Sequence, residues 1–254
     1  KPILFLKVTS PNNIFLIMSF GTLYLIPVPL AQDASAKSFT PYLIDTINQI
    51  KEYIVENEKT ARYFLKEAGL KIHQNELIIH DYGKHHRDTN TLDFFKGLLA
   101  GNNVGLMSEA GCPGIADPGA DLIRMAHKKG IKVVPLVGPS SILLALMASG
   151  FNGQSFAFHG YLPIDKTQRI KKIKELETLA NRYHQTQLFI ETPFRNNAIL
   201  EDALKNCNPE TQLCIACNLT AFDEFIQTKT IREWKAHVPD LHKKPAIFIL
   251  NSAT

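Results

Sequence analysis

Cysteine is scarce in this chain: Cys112, Cys207, Cys214 and Cys217 are the four among 254 residues. That density is too low for a disulfide scaffold, so reduced thiols in a cytoplasmic protein are expected. Cys214 and Cys217 form a C-x-x-C pair, but they fall in the apolar run QLCIACNL, which reads as a strand. Residues three apart on a strand point to opposite faces, so the pair is expected to share neither a metal nor a disulfide. Long apolar runs are missing as well, and none approaches the roughly 20 residues of a membrane span. No G-x-G-x-x-G follows a strand and no G-x-x-x-x-G-K-[ST] occurs, which removes a Rossmann dinucleotide site and a P-loop. A large excess of one charge sign is also lacking. The 28 Lys and Arg against 24 Asp and Glu leave a net charge of +4, which permits RNA binding without demonstrating it.

Hydrophobic residues make up 45% of the chain, enough to fill the cores of one or two soluble domains. The organising stretch is 104–141. It reads as an apolar strand (104–107), a small-residue loop (108–118), a helix (119–129), a second apolar strand (132–137) and a turn through Gly138, Pro139 and Ser140. This is a crossover with a loop at the carboxyl end of each strand, where open α/β sheets bind ligands. The first loop, SEAGCPGIADPG, holds three glycines, two prolines and the carboxylates Glu109 and Asp117. Glycine admits close backbone approach and proline removes motion, so the loop is expected to be a stiff platform for a flat or extended small molecule. A rigid connector is the alternative, since Pro-Gly turns are common. Two such loops at the same end of consecutive strands favour a site.

Residues 1–20 read as a leader or extension, with Met18 as a natural start. A signal peptide fits poorly, because Ser10, Pro11, Asn12 and Asn13 interrupt the apolar run. Strand and helix then alternate over 21–150, as expected of a domain with a mainly parallel sheet. Expected elements include a strand at 23–26, a helix at 41–50, a strand at 53–55, an Asn57-capped helix and a strand at 76–80. Ser140 and Ser141 are expected to cap the apolar helix that ends at Gly150. Over 151–254, strands at 155–159, 187–191, 212–219, 224–228 and 246–251 around two helices indicate a second α/β domain with a mixed sheet.

Two clusters invite functional readings. Asp81, His85 and His86 lie within seven residues, but adjacent histidines diverge and no zinc spacing is present, so a polar loop over a cleft is preferred to a metal site. The helix from Lys166 to Tyr183 carries Lys166, Arg169, Lys171, Lys172 and Lys174 beside an apolar stripe. It reads either as a solvated amphipathic helix or as an RNA-backbone contact.

The loop 108–119 resembles the S-D-A-G-T-P-G-I-S-D-P-G signature of the tetrapyrrole-methylase superfamily, and within it of the ribosomal RNA small-subunit 2′-O-methyltransferase I branch. Phe158-His159-Gly160-Tyr161-Leu162-Pro163 resembles that branch's F-x-G-F-L-P, and Glu191-Thr192-Pro193-Phe194-Arg195 its E-S-P-H-R. The matches run in order from about Gly21 to the C-terminus. Two departures stand out. The T-P-I-G-N loop keeps only its proline at Pro27, and A-R-E-L-T-K is replaced by Ala216-Cys217-Asn218-Leu219-Thr220-Ala221.

The resemblance implies two α/β domains of the tetrapyrrole-methylase type with a cofactor cleft between them. It implies S-adenosyl-L-methionine held by Pro27, Glu109, Ala110, Gly111, Pro113, Gly114, Ile115, Asp117, Gly138, Pro139, Ser140, Ser141, Ile190 and Ala216. Glu191 and Arg195 are the candidates for orienting or activating the acceptor; a strand-end ion pair is their alternative role. The implied partner is ribosomal RNA or the small ribosomal subunit, and a homodimer is implied as well, with no metal and no membrane. A tetrapyrrole C-methyltransferase, or a cofactor-binding or RNA-binding homologue without catalysis, are the competing readings.

Overall fold

The computed structural model describes residues 19–32, 34–83, 93–117 and 119–252; residues 1–18 of the expected leader, together with Lys84, His85, His86 and Arg87, lie outside them. The first domain comprises β1 (Thr22–Ile26), α1 (Ser35–Ser38), α2 (Pro41–Ile47), β2 (Glu52–Val55), α3 (Glu58–Glu67), β3 (Ile78–Asp81), α4 (Lys96–Leu99), β4 (Val104–Met107), α5 (Gly119–Lys128) and β5 (Lys132–Pro135). Its sheet runs β3-β2-β4-β1-β5, and every pairing is parallel. The central strands β2 and β4 are buried along their whole length, as expected of strands covered on both faces.

Local chemistry sets the helix ends. The Asn57 side chain accepts from the amides of Lys59 and Thr60 and starts α3. Helix α2 stops at Ile47, three residues short of the sequence expectation. The Ile50 amide closes a turn onto the Ile47 carbonyl, and the buried Tyr53 hydroxyl shares its proton between the Ile47 and Ile50 carbonyls at 2.9 and 3.1 Å. The expected 76–80 strand begins two residues later, after a 3₁₀ turn at Gln74–Glu76.

The elements that follow, α6 (Ser141–Ser149), β6 (Phe156–Tyr161), α7 (Lys166–Tyr183), β7 (Thr186–Ile190), α8 (Asn196–Asn206), β8 (Gln212–Cys217), β9 (Phe225–Thr230), α9 (Ile231–Ala236) and β10 (Ala246–Asn251), gather about a second sheet. Its strand order is β6-β7-β10-β8-β9, parallel between β6 and β7 and antiparallel elsewhere. Along β8, Leu213, Ile215 and Cys217 enter the core under α7 and α8, while Cys214 and Ala216 face α6. Cys214 and Cys217 thus lie on opposite faces, as the strand reading requires, and all four cysteines are unpaired.

The short helix α9 was not expected from sequence. It is fixed by a Thr230–Glu233 capping box and by Trp234, whose indole N–H donates to the Leu213 carbonyl at 2.8 Å. The Phe189 and Phe248 rings stack at 5.5 Å in the same core. On the other face, α6 packs Ile142, Ala145 and Leu146 on Leu188, Cys214, Ala216, Ile247 and Ile249. It precedes the expected boundary at residue 150 but lies on the second sheet.

Candidate functional site

Sheet order decides which loops meet. β4 and β5 are consecutive in the crossover unit, but β1 lies between them, so the loop after β1 is clasped by the two glycine-rich loops. Val28 and Gly111 exchange backbone hydrogen bonds at 2.8 and 2.9 Å, which joins the β1 loop to the β4 loop. Gly111 has φ of +75°, a conformation that side-chain-bearing residues rarely adopt. At Gly138 the reason for glycine is space: a Cβ would stand 2.1 Å from Pro27 Cγ. The Cys112 thiol donates to the Pro139 carbonyl at 3.3 Å and closes the ring of three loops.

Asp117 holds the β4 loop in shape from within. Its carboxylate accepts from the Gly114 amide at 2.8 and 2.9 Å and from the Gly119 amide at 2.6 Å, at the start of α5. Burial pushes its pKa up, and these two amides only partly offset that. The same burial, with Asp117 nearby, raises the Cys112 thiol.

Above the loops lies a cleft of ≈ 370 Å³, whose far wall is the α6 face of the second sheet. Of the sequence-derived residues, Ala110, Gly111, Ile115, Ser140, Ser141, Ile190, Ala216 and Glu191 line it. Pro27, Glu109, Pro113, Gly114, Asp117, Gly138, Pro139 and Arg195 are not part of its lining. Of these, Pro27 backs Gly138, Asp117 ties the loop, Pro139 holds Cys112 and Arg195 pairs with Glu191. Sequence reasoning did not single out Leu30, Tyr161, Asn218, Pro245 or Ile247 as lining residues. Tyr161 and Asn218 sit inside motifs quoted above, whereas Leu30, Pro245 and Ile247 carried no local signal.

Glu191 and Arg195 form an ion pair in which the carboxylate is fully covered and the guanidinium is 28% exposed. One Glu191 oxygen is bound by Arg195 and the other accepts from the Thr192 amide at 2.6 Å. A general base needs a lone pair within reach of the proton it takes, and here both oxygens are engaged. The geometry suits Glu191 to orienting Arg195.

The basic helix α7 divides. Arg169 is buried, donating to Asp202 at 2.8 Å and to the Ile164 carbonyl at 2.8 Å, so it belongs to the core and not to a solvated cationic face. Its neighbours Ile173 and Leu176 join the cluster on the opposite side of the sheet from the cleft wall, so the exposed lysines of α7 face away from the cleft. Among the described residues no cluster of three or more His, Cys, Asp and Glu could hold a metal.

A family model described as Tetrapyrrole (Corrin/Porphyrin) Methylases matches residues 38–235. The chain is 31% identical over 231 residues to a Vibrio cholerae protein named ribosomal RNA small subunit methyltransferase I, covering 90% of this chain and 76% of that protein. It is 31% identical over 208 residues to the Bacillus subtilis protein of the same name, covering 82% and 67%. The Haemophilus influenzae counterpart is 30% identical over 233 residues, covering 91% and 78%. In three dimensions the crystal structure of the methyltransferase CobJ superposes with a TM-score of 0.62 at 17% identity, covering 92% of this chain and 95% of that one.

Proposed function

The chain belongs to the tetrapyrrole (corrin/porphyrin) methylase family, and from that premise we propose that it is an S-adenosylmethionine-dependent methyltransferase of small-subunit ribosomal RNA, acting on a ribose 2′-oxygen. The observation that carries this reading is the cleft. It opens at the carboxyl ends of β4, β1 and β5, has an apolar far wall, and is floored by the backbone of a glycine-rich loop. Its volume lies in the range of small-molecule sites. The residues present fit the cofactor: the Ala110 main chain and the Ser140–Ser141 turn can meet its polar ends, Gly111 leaves room for close approach, and Ile190, Ala216 and Ile247 can meet its apolar surfaces. When bound, S-adenosylmethionine supplies a methyl group activated on a sulfonium.

The chain's own contribution is alignment. A rigid loop, fixed by Asp117 and by the Val28–Gly111 bridge, sets one reacting partner, and holding the second in line supplies much of the rate. Arg195, 28% exposed and paired with the cleft-lining Glu191 carboxylate, is the group we assign to positioning the acceptor beside the cleft. Domain limits follow the packing. With α6 on the second sheet, we place the boundary in the Gly138–Ser140 turn. A cytoplasmic homodimer belongs to the same proposal, supported by the exposed apolar side chains Val137, Leu143 and Met147 beside and along α6. Among the described residues no helix is long and apolar enough to cross a membrane.

The test is transfer of labelled methyl from S-adenosylmethionine to small ribosomal subunits lacking the modification, followed by nucleoside mass analysis, with a porphyrinogen in parallel. A 2′-O-methylated nucleoside is expected. Label in the porphyrinogen alone would overturn the RNA reading, and cofactor binding with no transfer to either would indicate a homologue without catalysis.

A further inference from the structure

Three segments meet at the mouth of the cleft. The Lys243 amide donates to the Pro193 carbonyl at 3.0 Å, the Asn196 side chain donates to the Lys244 carbonyl at 2.6 Å, and the Asn218 amide donates to the Pro245 carbonyl at 3.0 Å. The turn after β7, the turn after β8 and the approach to β10 therefore form one continuous rim. Pro193, Asn218, Ala221 and Pro245 on that rim line the cleft.

The rim holds large aromatic side chains in water. Phe222, next to Ala221, is fully exposed, Phe194 is 68% exposed, and Tyr161 on the cleft wall is 57% exposed. Isolated exposed hydrophobics are ordinary, but several aromatics around one opening mark an interaction site. The backbone that presents them is constrained: Asn218, Thr220 and Lys243 all have positive φ, of 50°, 70° and 59°. For the β-branched Thr220 this is an outlier, and such conformations concentrate at functional sites.

The rim also carries cations that can meet phosphates, including Lys37, whose ammonium donates to the Thr220 carbonyl at 2.7 Å. Lys243 and Lys244 have no ion-pair partner among the described residues, and His242 stands edge-on to Phe194 at 6.1 Å. Three carboxylates nearby keep their charge but are held by neutral donors, and the Asn197 side chain, helped by Lys244, keeps the Asp240 carboxyl low. Asp223 accepts from the Asn218 side chain, Glu224 from the Thr220 amide, and Asp240 from the His242 amide.

We propose that this rim is a binding platform for unpaired RNA, in which Phe222 and Phe194 stack on exposed bases while Lys243 and Lys244 contact the adjoining phosphates. The chemistry selects the partner. Aromatic faces are useful only where bases are unstacked, and a duplex offers its phosphates but hides its base faces. The proposal rests on the RNA reading of the cleft and specifies its substrate as a single-stranded or looped segment.

The test is fluorescence anisotropy with a labelled, non-self-complementary oligoribonucleotide of about 12 nucleotides, a span within single-strand site sizes, and with the same strand in a duplex. Wild type is expected to bind the single strand more tightly. Phe222→Ala and Phe194→Ala are each expected to weaken it by about fivefold or more while leaving the affinity for S-adenosylhomocysteine unchanged. Lys243→Gln and Lys244→Gln should each lower the slope of log affinity against log salt by about 0.7. Preference for the duplex, unchanged affinity in both phenylalanine variants, or a salt slope that instead follows Lys171→Gln and Lys174→Gln on α7 would overturn the proposal. Failure of the parent reading looks different: wild type would bind the strand with phenylalanine dependence yet transfer no methyl to ribosomal RNA.

Discussion

Replacing Gly138 by alanine tests whether the three-loop ring sets the geometry of the cleft. The added Cβ would lie 2.1 Å from Pro27 Cγ and 2.3 Å from its Cβ. Carbon atoms rest at about 3.5–4.0 Å, so the two turns must part by roughly 1.5 Å. Pro27 cannot swing aside, because its ring is closed onto the backbone. The displacement falls on the turn that carries Ser140 and Ser141, both of which line the cleft.

Forced overpacking costs about 1–3 kcal/mol. If the ring is what shapes the site, that cost appears in ligand affinity as a factor of about 5 to 150. Titration calorimetry with S-adenosylhomocysteine should therefore show Kd raised about fivefold or more. Gly130→Ala is the control. Its φ is +71° with nothing within 4 Å of the new Cβ, so it costs about 1–2 kcal/mol of backbone strain, away from the cleft loops. It should lower the urea midpoint without changing Kd. A folded Gly138→Ala protein that binds as tightly as wild type would refute the argument.

Arg169→Met should cost up to about 3–5 kcal/mol in urea unfolding, because it leaves the Asp202 carboxylate, 2% exposed, with only the more distant Lys166 ammonium at 3.9 Å. Adding Asp202→Leu should recover much of that loss, and a single variant within 1 kcal/mol of wild type would show the pair to be dispensable. The Asp117 carboxyl is raised in the folded protein, chiefly by burial. Its favourable contribution is therefore complete below the ordinary value of 3.8 and is lost as pH rises through the folded value. Wild-type stability relative to Asp117→Asn should then fall as pH is raised from 4 toward 7, and a flat difference would contradict this. Cys112 lines the cleft while Cys207, Cys214 and Cys217 are buried, so iodoacetamide should label Cys112 first, more slowly than a free thiol because its pKa is raised. S-adenosylhomocysteine should slow that labelling further, and labelling indifferent to the ligand would move the ligand out of this cleft.

Sequence alone determined the elements whose signals are local. The apolar runs of β1, β4 and β5, the caps at Asn57 and Ser140, and the full extent of α7 follow from side-chain pattern and short-range hydrogen bonding. It also marked two loops that border the cleft, because glycine and proline at 108–119 and 138–140 act through their own backbone restrictions. What only the tertiary structure decided are the matters of who lies beside whom. Nothing in the chain order says that β1 inserts between β4 and β5, yet that insertion makes Pro27 the neighbour of Gly138 and Val28 the neighbour of Gly111. Nothing in the periodicity of α7 separates Arg169 from the lysines around it, since only the approach of Asp202 from α8 turns one cation inward. The cleft rim is non-local in the same way: segments near 193, 218 and 243 meet because a mixed sheet brings strand ends together that are far apart along the chain, and no short-range pattern records that meeting.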